Sequence, residues 1–68
     1  MALGRVTKAG LEANIAQSRR HIAKQDALIV RLANQGHAES LAMARTVLAT
    51  MHAHLDIEIE MLARIAPG

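Results

Sequence analysis

The stretch Asn34-Gln35-Gly36-His37 divides the chain into two halves that carry the same seven-residue repeat of aliphatic residues. Asn and Gly are the residue types that accept the left-handed conformation closing an α-helix, so this stretch predicts a tight turn. Apolar residues spaced three and four apart on both sides predict amphipathic helices. The sequence therefore predicts an all-α fold, an antiparallel two-helix hairpin over about residues 8–34 and 38–66.

The aliphatic repeat assigns a core to this hairpin. If the chain folds back at Gln35-Gly36, one register pairs the isoleucines of the first half with leucines of the second, because the residue numbers of every pair have the same sum. The pairs are Ile29 with Leu41, Ile22 with Leu48 and Ile15 with Leu55. The predicted hairpin core consists of Leu11, Ile15, Ile22, Ile29, Leu32, Leu41, Leu48 and Leu62.

Three polar residues, Ser18, Gln25 and Glu58, interrupt the second core position of the repeat. They form either a polar side of the seam that fixes its register or simply solvent-exposed positions. Of these two interpretations we favour solvent exposure.

Local signals predict the helix ends. Thr7 is the expected N-cap of the first helix, and residues 1–6 before it are expected to be frayed. Either His37 or Ser40 is expected to cap the second helix. Pro67 is expected to end that helix, because proline cannot continue it.

Length and composition bear on how the hairpin is completed. The chain has 68 residues and no cysteine, so a single domain over residues 1–68 is predicted, without disulfides or thiolate metal sites. A lone hairpin of this size is at best marginally stable, so another surface must cover its apolar residues. We therefore expect a homodimer that forms a four-helix bundle and acts as a small protein–protein interaction or regulatory module in a coiled-coil manner.

Aliphatic residues that flank the seam indicate where a second copy packs, because such positions widen a two-helix seam into a bundle core. The predicted oligomer interface comprises Leu28, Val47, Met51, Leu55, Ile59 and Met61. Met43 and Ile57 form a further apolar band on the second helix. His54 lies on the same flank as Val47 and Met61. If its ring is buried between subunits, protonation opposes assembly; we favour a ring that reaches solvent at the edge of the bundle.

Charge is divided between the two halves. Residues 1–36 carry six basic and two acidic residues, and residues 37–68 carry two basic and four acidic ones. This division favours antiparallel pairing, which brings the acidic end of the second helix alongside Lys8.

The basic residues of the first helix raise a nucleic-acid or anionic-surface interface as an alternative function. Arg20, Lys24 and Arg31 fall on nearly one stripe that could follow phosphates, with Arg19 beside them. Against this, there is no recognition-helix motif, the net charge is only +2, and no aromatic residue is present to stack on bases. We favour a solvated outer face, and nucleic acid is not the expected partner.

Histidines raise a second alternative, a metal-binding bundle. His21, His52 and Asp56 would supply three ligands if the hairpin register brings them together. His54 and Glu58 share a face, but two ligands are too few. We favour separate surface histidines, so no metal and no cofactor is expected.

Catalytic and targeting signals are weak. The hydroxyl residues have no nucleophile-elbow context, and no glycine-rich phosphate loop is present, so a non-enzymatic protein is predicted. No stretch approaches the about 18 uninterrupted apolar residues of a membrane span. Residues 1–6 do not resemble a signal peptide, so the cytoplasm is the expected location.

Most of residues 15–62 resembles a group of short bacterial proteins of unassigned function. The resemblance rests on His21-Ile22-Ala23-Lys24-Gln25, on Gly36-His37 and on a leucine-rich second helix with a late His54. Members of that group often carry Asp-Thr after Gly-His, where this chain has Ala38-Glu39, so the capping of the second helix differs. The resemblance implies a helical hairpin and transfers no catalytic or ligand residue.

Overall fold

The computed structural model describes residues 7–65, which form two α-helices joined by a two-residue connection. Helix α1 runs over Lys8–Gln35 and helix α2 over Ala38–Ile65, each with 28 residues. The predicted all-α hairpin is confirmed, with α1 ending one residue later than predicted. The predicted fraying of residues 1–6 and the predicted end of the second helix at residue 66, before Pro67, lie outside the described residues.

Hydrogen bonds between the helices show that they run antiparallel. Ser18 donates to Glu58, whereas Gln25, one heptad later on α1, donates to Ala44, which lies earlier on α2. Advancing along α1 therefore means going back along α2. The short connection agrees with this direction, because two residues can join only neighbouring helix ends.

Thr7 caps the N-terminus of α1, as the sequence predicts. Its backbone is extended, with φ −114° and ψ 158°, and its side chain accepts a hydrogen bond from the amide of Gly10 at 3.0 Å. The first backbone hydrogen bond of the helix is donated by Leu11 N to Thr7 O at 2.9 Å. One of the amide groups left unpaired at a helix start is thus satisfied by the cap.

The turn at Gly36 closes α1 with the left-handed residue that the sequence predicts. Gly36 has φ 73° and ψ 24°; its amide donates to Ala33 O, and the amide of His37 donates to Leu32 O. These two bonds form a Schellman motif. The carbonyl of His37 then accepts from the amide of Leu41 at 2.8 Å. His37, and not Ser40, therefore occupies the capping position of α2.

Replacing Gly36 tests the turn. Gly36→Ala is expected to lower the free energy of unfolding by about 1 kcal/mol, because a Cβ disfavours the left-handed conformation. No atom lies within 4 Å of the position that this Cβ would take, so crowding does not contribute. Urea unfolding followed by circular dichroism at one fixed chain concentration measures the change. Gly36→Asn is the control and should cost less; an alanine variant as stable as the wild type would contradict the role of Gly36.

The hydrophobic core is a thin seam between the two helices. In the part of the chain that the structure describes, five aliphatic residues are buried, with 4–9% of each exposed: Leu11, Ile15, Ile22, Ala44 and Leu55. Leu48, Met51 and Leu62 pack against the central cluster of this seam. The other predicted core residues, Ile29, Leu32 and Leu41, are half-buried. Among residues 7–65 no side chain falls below 2% exposure, so the seam stays close to solvent along its length.

Candidate interaction face

One side of the hairpin carries a groove between the two helices, with a volume of about 390 Å³. Its lining consists of Ser18, His21, Thr46, Val47, Thr50, Met51 and His54. A second, more polar hollow of about 360 Å³ adjoins it and is lined by Asn14, Gln17, Ser18, His21, His54 and Glu58. We name the side of the hairpin that carries both hollows the groove face.

The two threonines of the groove contribute mainly apolar surface. Thr46 Oγ1 donates to Ala42 O, and Thr50 Oγ1 donates to Thr46 O, both at 3.2 Å. Hydroxyl groups bonded to their own helix in this way need no further partner. The wall that α2 presents to the groove is therefore apolar in character around Val47 and Met51.

Glu58 is the buried polar residue of the groove face, and its burial corrects the interpretation favoured from the sequence. Only 7% of Glu58 is exposed, and Ser18 is half-buried. Ser18 Oγ donates to Glu58 Oε1 at 2.7 Å, while His54 Nε2 lies 3.7 Å from Glu58 Oε2. Burial of the carboxylate is tolerated because each of its oxygens has a polar neighbour, which replaces the water molecules that would surround it in solvent.

Gln25 forms the second polar link across the seam. Its Nε2 donates to Ala44 O at 2.9 Å, and Gln25 is half-buried. Ala44 is 6% exposed, and its small side chain permits this close approach. A carbonyl has two lone pairs, so it can accept this bond beside its helical one. Ser18, Gln25 and Glu58 are therefore the polar side of the seam, and solvent exposure was the wrong interpretation.

The arrangement around Glu58 is suited to holding two helices in register. The hydroxyl of Ser18 donates to a carboxylate, whereas an activated nucleophile donates to the imidazole of its base. His54 belongs to the same helix as Glu58, and 69% of its side chain is exposed. The Ser18–Glu58 bond is thus the link that this arrangement makes between α1 and α2, and together with the Gln25–Ala44 bond it defines which turns of the two helices lie opposite each other.

The residues predicted to form an oligomer interface divide into three groups. The first group is available to a partner: Val47 and Met51 line the groove, Val47 is 45% exposed and Leu28 is 36% exposed. Met61 is half-buried and continues their stripe along α2. Leu55 is 9% exposed and belongs to the hairpin core, so it has little surface left for a partner. Ile59 is 39% exposed but lies five residues after His54, which puts it about 140° around α2 from His54 and away from the groove face.

Further aliphatic residues are exposed that the predicted interface did not include. Met43 is 70% exposed, Val30 60%, Ile57 54% and Ile65 41%. Met43 and Ile57 are the band noted in the sequence, and Met43 lies one helical turn before Val47. Ile65 lies one turn after Met61. The spacing of Met43, Val47, Met61 and Ile65 along α2 was the sequence signal that could have placed Met43 and Ile65 in the predicted interface.

The basic residues of α1 lie on its outer surface. Arg19, Arg20, Lys24 and Arg31 are all exposed. Helical spacing puts Arg20, Lys24 and Arg31 on one side of α1 and Arg19 about 100° away. Within residues 7–65 the contact between His54 and Glu58 is the one ion-pair distance found, so the pairing expected between Lys8 and the acidic end of α2 does not form.

The candidate metal ligands are not brought together. His21 lies on the groove face near His54. His52 is two residues from His54 and therefore points to the opposite side of α2, as does Asp56, one turn further on. No group of three histidine or carboxylate side chains in the described part of the chain could hold a metal ion. His54 and Glu58 remain a pair of two.

The geometry defines the chain as a two-helix hairpin with one grooved, largely apolar face. No protein-family model, curated protein or solved structure matches the chain. The resemblance to the short bacterial proteins therefore stays a prediction. Neither of the helices in residues 7–65 has the length and apolar character to span a lipid bilayer.

Proposed function

We propose that this chain is a non-enzymatic protein–protein interaction module that completes its hydrophobic core by associating with a second copy of itself. The observation that carries the proposal is the imbalance between exposed and buried aliphatic side chains. Among residues 7–65, seven large ones are 36–70% exposed, against five aliphatic residues that are buried in the seam. A contiguous apolar surface on a small protein is the usual mark of an interaction site, and Met43, Val47 and Ile65 share one side of α2, whereas Val30 and Ile59 lie away from it.

The composition of the groove face supports a helical partner. The chain contains no aromatic residue, so its contacts consist of aliphatic side chains that interdigitate between helices. The polar atoms of Glu58, Thr46 and Thr50 already have neighbours within the hairpin, so covering them leaves few groups unsatisfied. A second hairpin laid on this face would give a four-helix bundle, in which helix pairs bury each other's apolar stripes.

Sedimentation equilibrium tests the proposal. The expected result is a particle of twice the chain mass of 7.3 kDa, with dissociation on dilution. Circular dichroism on the same samples should show that helix content falls as the dimer dissociates, because a lone hairpin of this size is marginally stable. A fully helical particle of single-chain mass at every concentration would contradict the proposal.

A further inference from the structure

Large aliphatic residues on α2 are placed symmetrically before and after His54, and we call them the apolar stripe. Val47 and Met61 lie seven residues before and after it, and Met43 and Ile65 lie eleven residues before and after. Met51 and Ile57 lie three residues to either side. Each pair consists of two large aliphatic side chains, so the stripe has an approximate centre of symmetry at His54.

Around α2 these residues lie within about 60° on either side of His54. Steps of four and seven residues return a side chain to nearly the same side of an α-helix. The groove lining agrees, because Val47, Thr50, Met51 and His54 all contribute to it. Met43 and Ile65, at the two ends of the stripe, are 70% and 41% exposed, and Ile57, near its centre, is 54% exposed, so the stripe is open to a partner.

We infer that two copies associate through α2, with the two α2 helices antiparallel and the two-fold axis beside His54. The inference rests on the proposed function and adds to it the helix, the direction and the centre of the interface. In a two-fold interface, if one residue contacts a second residue of the other copy, then that second residue contacts the first residue of the other copy. An antiparallel pair centred at His54 therefore places Val47 against the second copy's Met61, and Met43 against the second copy's Ile65.

The remaining polar positions of the stripe agree with this centre. Thr50 and Glu58 lie four residues before and after His54, so the second copy's Thr50 lies over the turn that carries Glu58, whose carboxylate stays paired with Ser18 inside the hairpin. The two His54 rings face each other at the axis. A polar residue at a single position of an apolar seam costs stability but fixes register, as asparagine does in coiled coils.

Charge at the ends of α2 favours the antiparallel direction over the parallel one. Glu39 and Arg64 are 25 residues apart, nearly seven turns, and so lie on about the same side of the helix. The antiparallel pair brings Glu39 to about 7.5 Å, measured along the axis, from the second copy's Arg64. A parallel pair would instead set like charges opposite each other and align the two helix dipoles.

Helix α1 is less suited to the centre of the interface. The residues that it presents to the two hollows are polar: Asn14, Gln17, Ser18 and His21. Leu28, at 36% exposure, adds aliphatic surface nearer the turn. The partner is therefore expected to contact α1 at the edge of the groove face and α2 at its centre.

Cysteine cross-linking tests this inference, since the chain has no cysteine of its own. His54→Cys alone is expected to form a disulfide-linked dimer under mild oxidation, because the two sulfurs meet at the axis. Val47→Cys mixed with Met61→Cys is expected to give the mixed dimer. Val47→Cys alone is not, because antiparallel helices hold its two copies about 21 Å apart along the axis, far beyond disulfide reach.

Two further variants make the test robust. Met43→Cys mixed with Ile65→Cys repeats the experiment at the ends of the stripe, in case one central substitution weakens association. Val30→Cys reports collisional cross-linking, because Val30 is 60% exposed and lies on the opposite side of α1 from Leu28. Dimer yields at least about tenfold above this background are expected for the matched pairs.

The outcomes separate the inference from the proposed function. Cross-linking of Val47→Cys alone, with no mixed dimer, would show a parallel pair and overturn the inference. So would a dimer by sedimentation whose matched pairs all react at the Val30→Cys rate, although the proposed function would stand. A monomer by sedimentation of the wild-type chain would overturn both.

Discussion

Val47→Glu is expected to weaken self-association by at least about 100-fold, the equivalent of about 2.7 kcal/mol. Val47 lies in the wall of the groove and is 45% exposed in the single hairpin, so the carboxylate stays in solvent until a second copy covers it. In a two-fold dimer the substitution occurs twice, and each copy loses aliphatic burial and desolvates a charge. Sedimentation equilibrium over a dilution series measures the change.

Val30→Glu is the matched control for this experiment. The substitution is chemically the same, and Val30 is 60% exposed, more than Val47, but it lies away from the groove face. Its effect on the dissociation constant is expected to stay within about threefold, since an exposed substitution away from the interface shifts energies by about 0.5 kcal/mol. Equal weakening by both variants would place the interface elsewhere or reduce it to nonspecific apolar contact.

Ser18→Ala is expected to lower the free energy of unfolding by about 2–3 kcal/mol. The substitution removes the donor that lies 2.7 Å from the carboxylate of Glu58, which is 7% exposed. A buried charged acceptor that loses its partner carries its desolvation cost uncompensated. Chemical unfolding at a fixed chain concentration measures the loss.

Two comparisons isolate the Ser18–Glu58 bond. Ser40→Ala removes the same hydroxyl from an exposed position in the first turn of α2 and is expected to change stability by less than about 0.5 kcal/mol. Ser18→Ala combined with Glu58→Leu is expected to regain most of the loss, because replacing both polar partners by apolar groups is nearly neutral. If Ser18→Ala behaves like Ser40→Ala, Glu58 does not depend on this bond.

The elements that the sequence predicts well are those set by local chemistry. Thr7 and Gly36 have side chains suited to one backbone conformation each, and both occupy the helix ends at which they were expected. The aliphatic repeat predicted the seam, since residues such as Ile15, Ile22 and Leu55 can avoid water only by facing the other helix. Local signals of this kind need no knowledge of the partner helix.

The polar side of the seam depends on what lies opposite, and this is where the prediction failed. Glu58 occupies a core position of the repeat, yet a glutamate there is stable only if a donor faces it. Whether Ser18 does so depends on the register and rotation of both helices, and a shift of one residue would separate them. The candidate metal site failed for the same reason, because it required His21 of α1 to lie opposite His52 and Asp56, whereas His21 lies on the groove face near His54, on the other side of α2.

The predicted interface set suffered from a different ambiguity. On an amphipathic helix, residues at the edge of the apolar stripe can pack in the core or against a partner. The sequence does not show which of these residues of α2 are covered by α1. The structure assigns Leu55 to the core and leaves Met43 and Ile65 exposed. The side chains that remain open after the hairpin forms are those available for assembly.

The dependence of unfolding on chain concentration tests most directly whether the hairpin requires a second copy. If folding and association are coupled, a hundred-fold increase in concentration raises the apparent free energy of unfolding by about 2.7 kcal/mol. With the denaturant sensitivity of small proteins, the urea midpoint should then move upwards by about 1–2 M. A single cooperative transition with the same midpoint at every concentration would show that one chain folds on its own, and would contradict the self-association proposed for this protein.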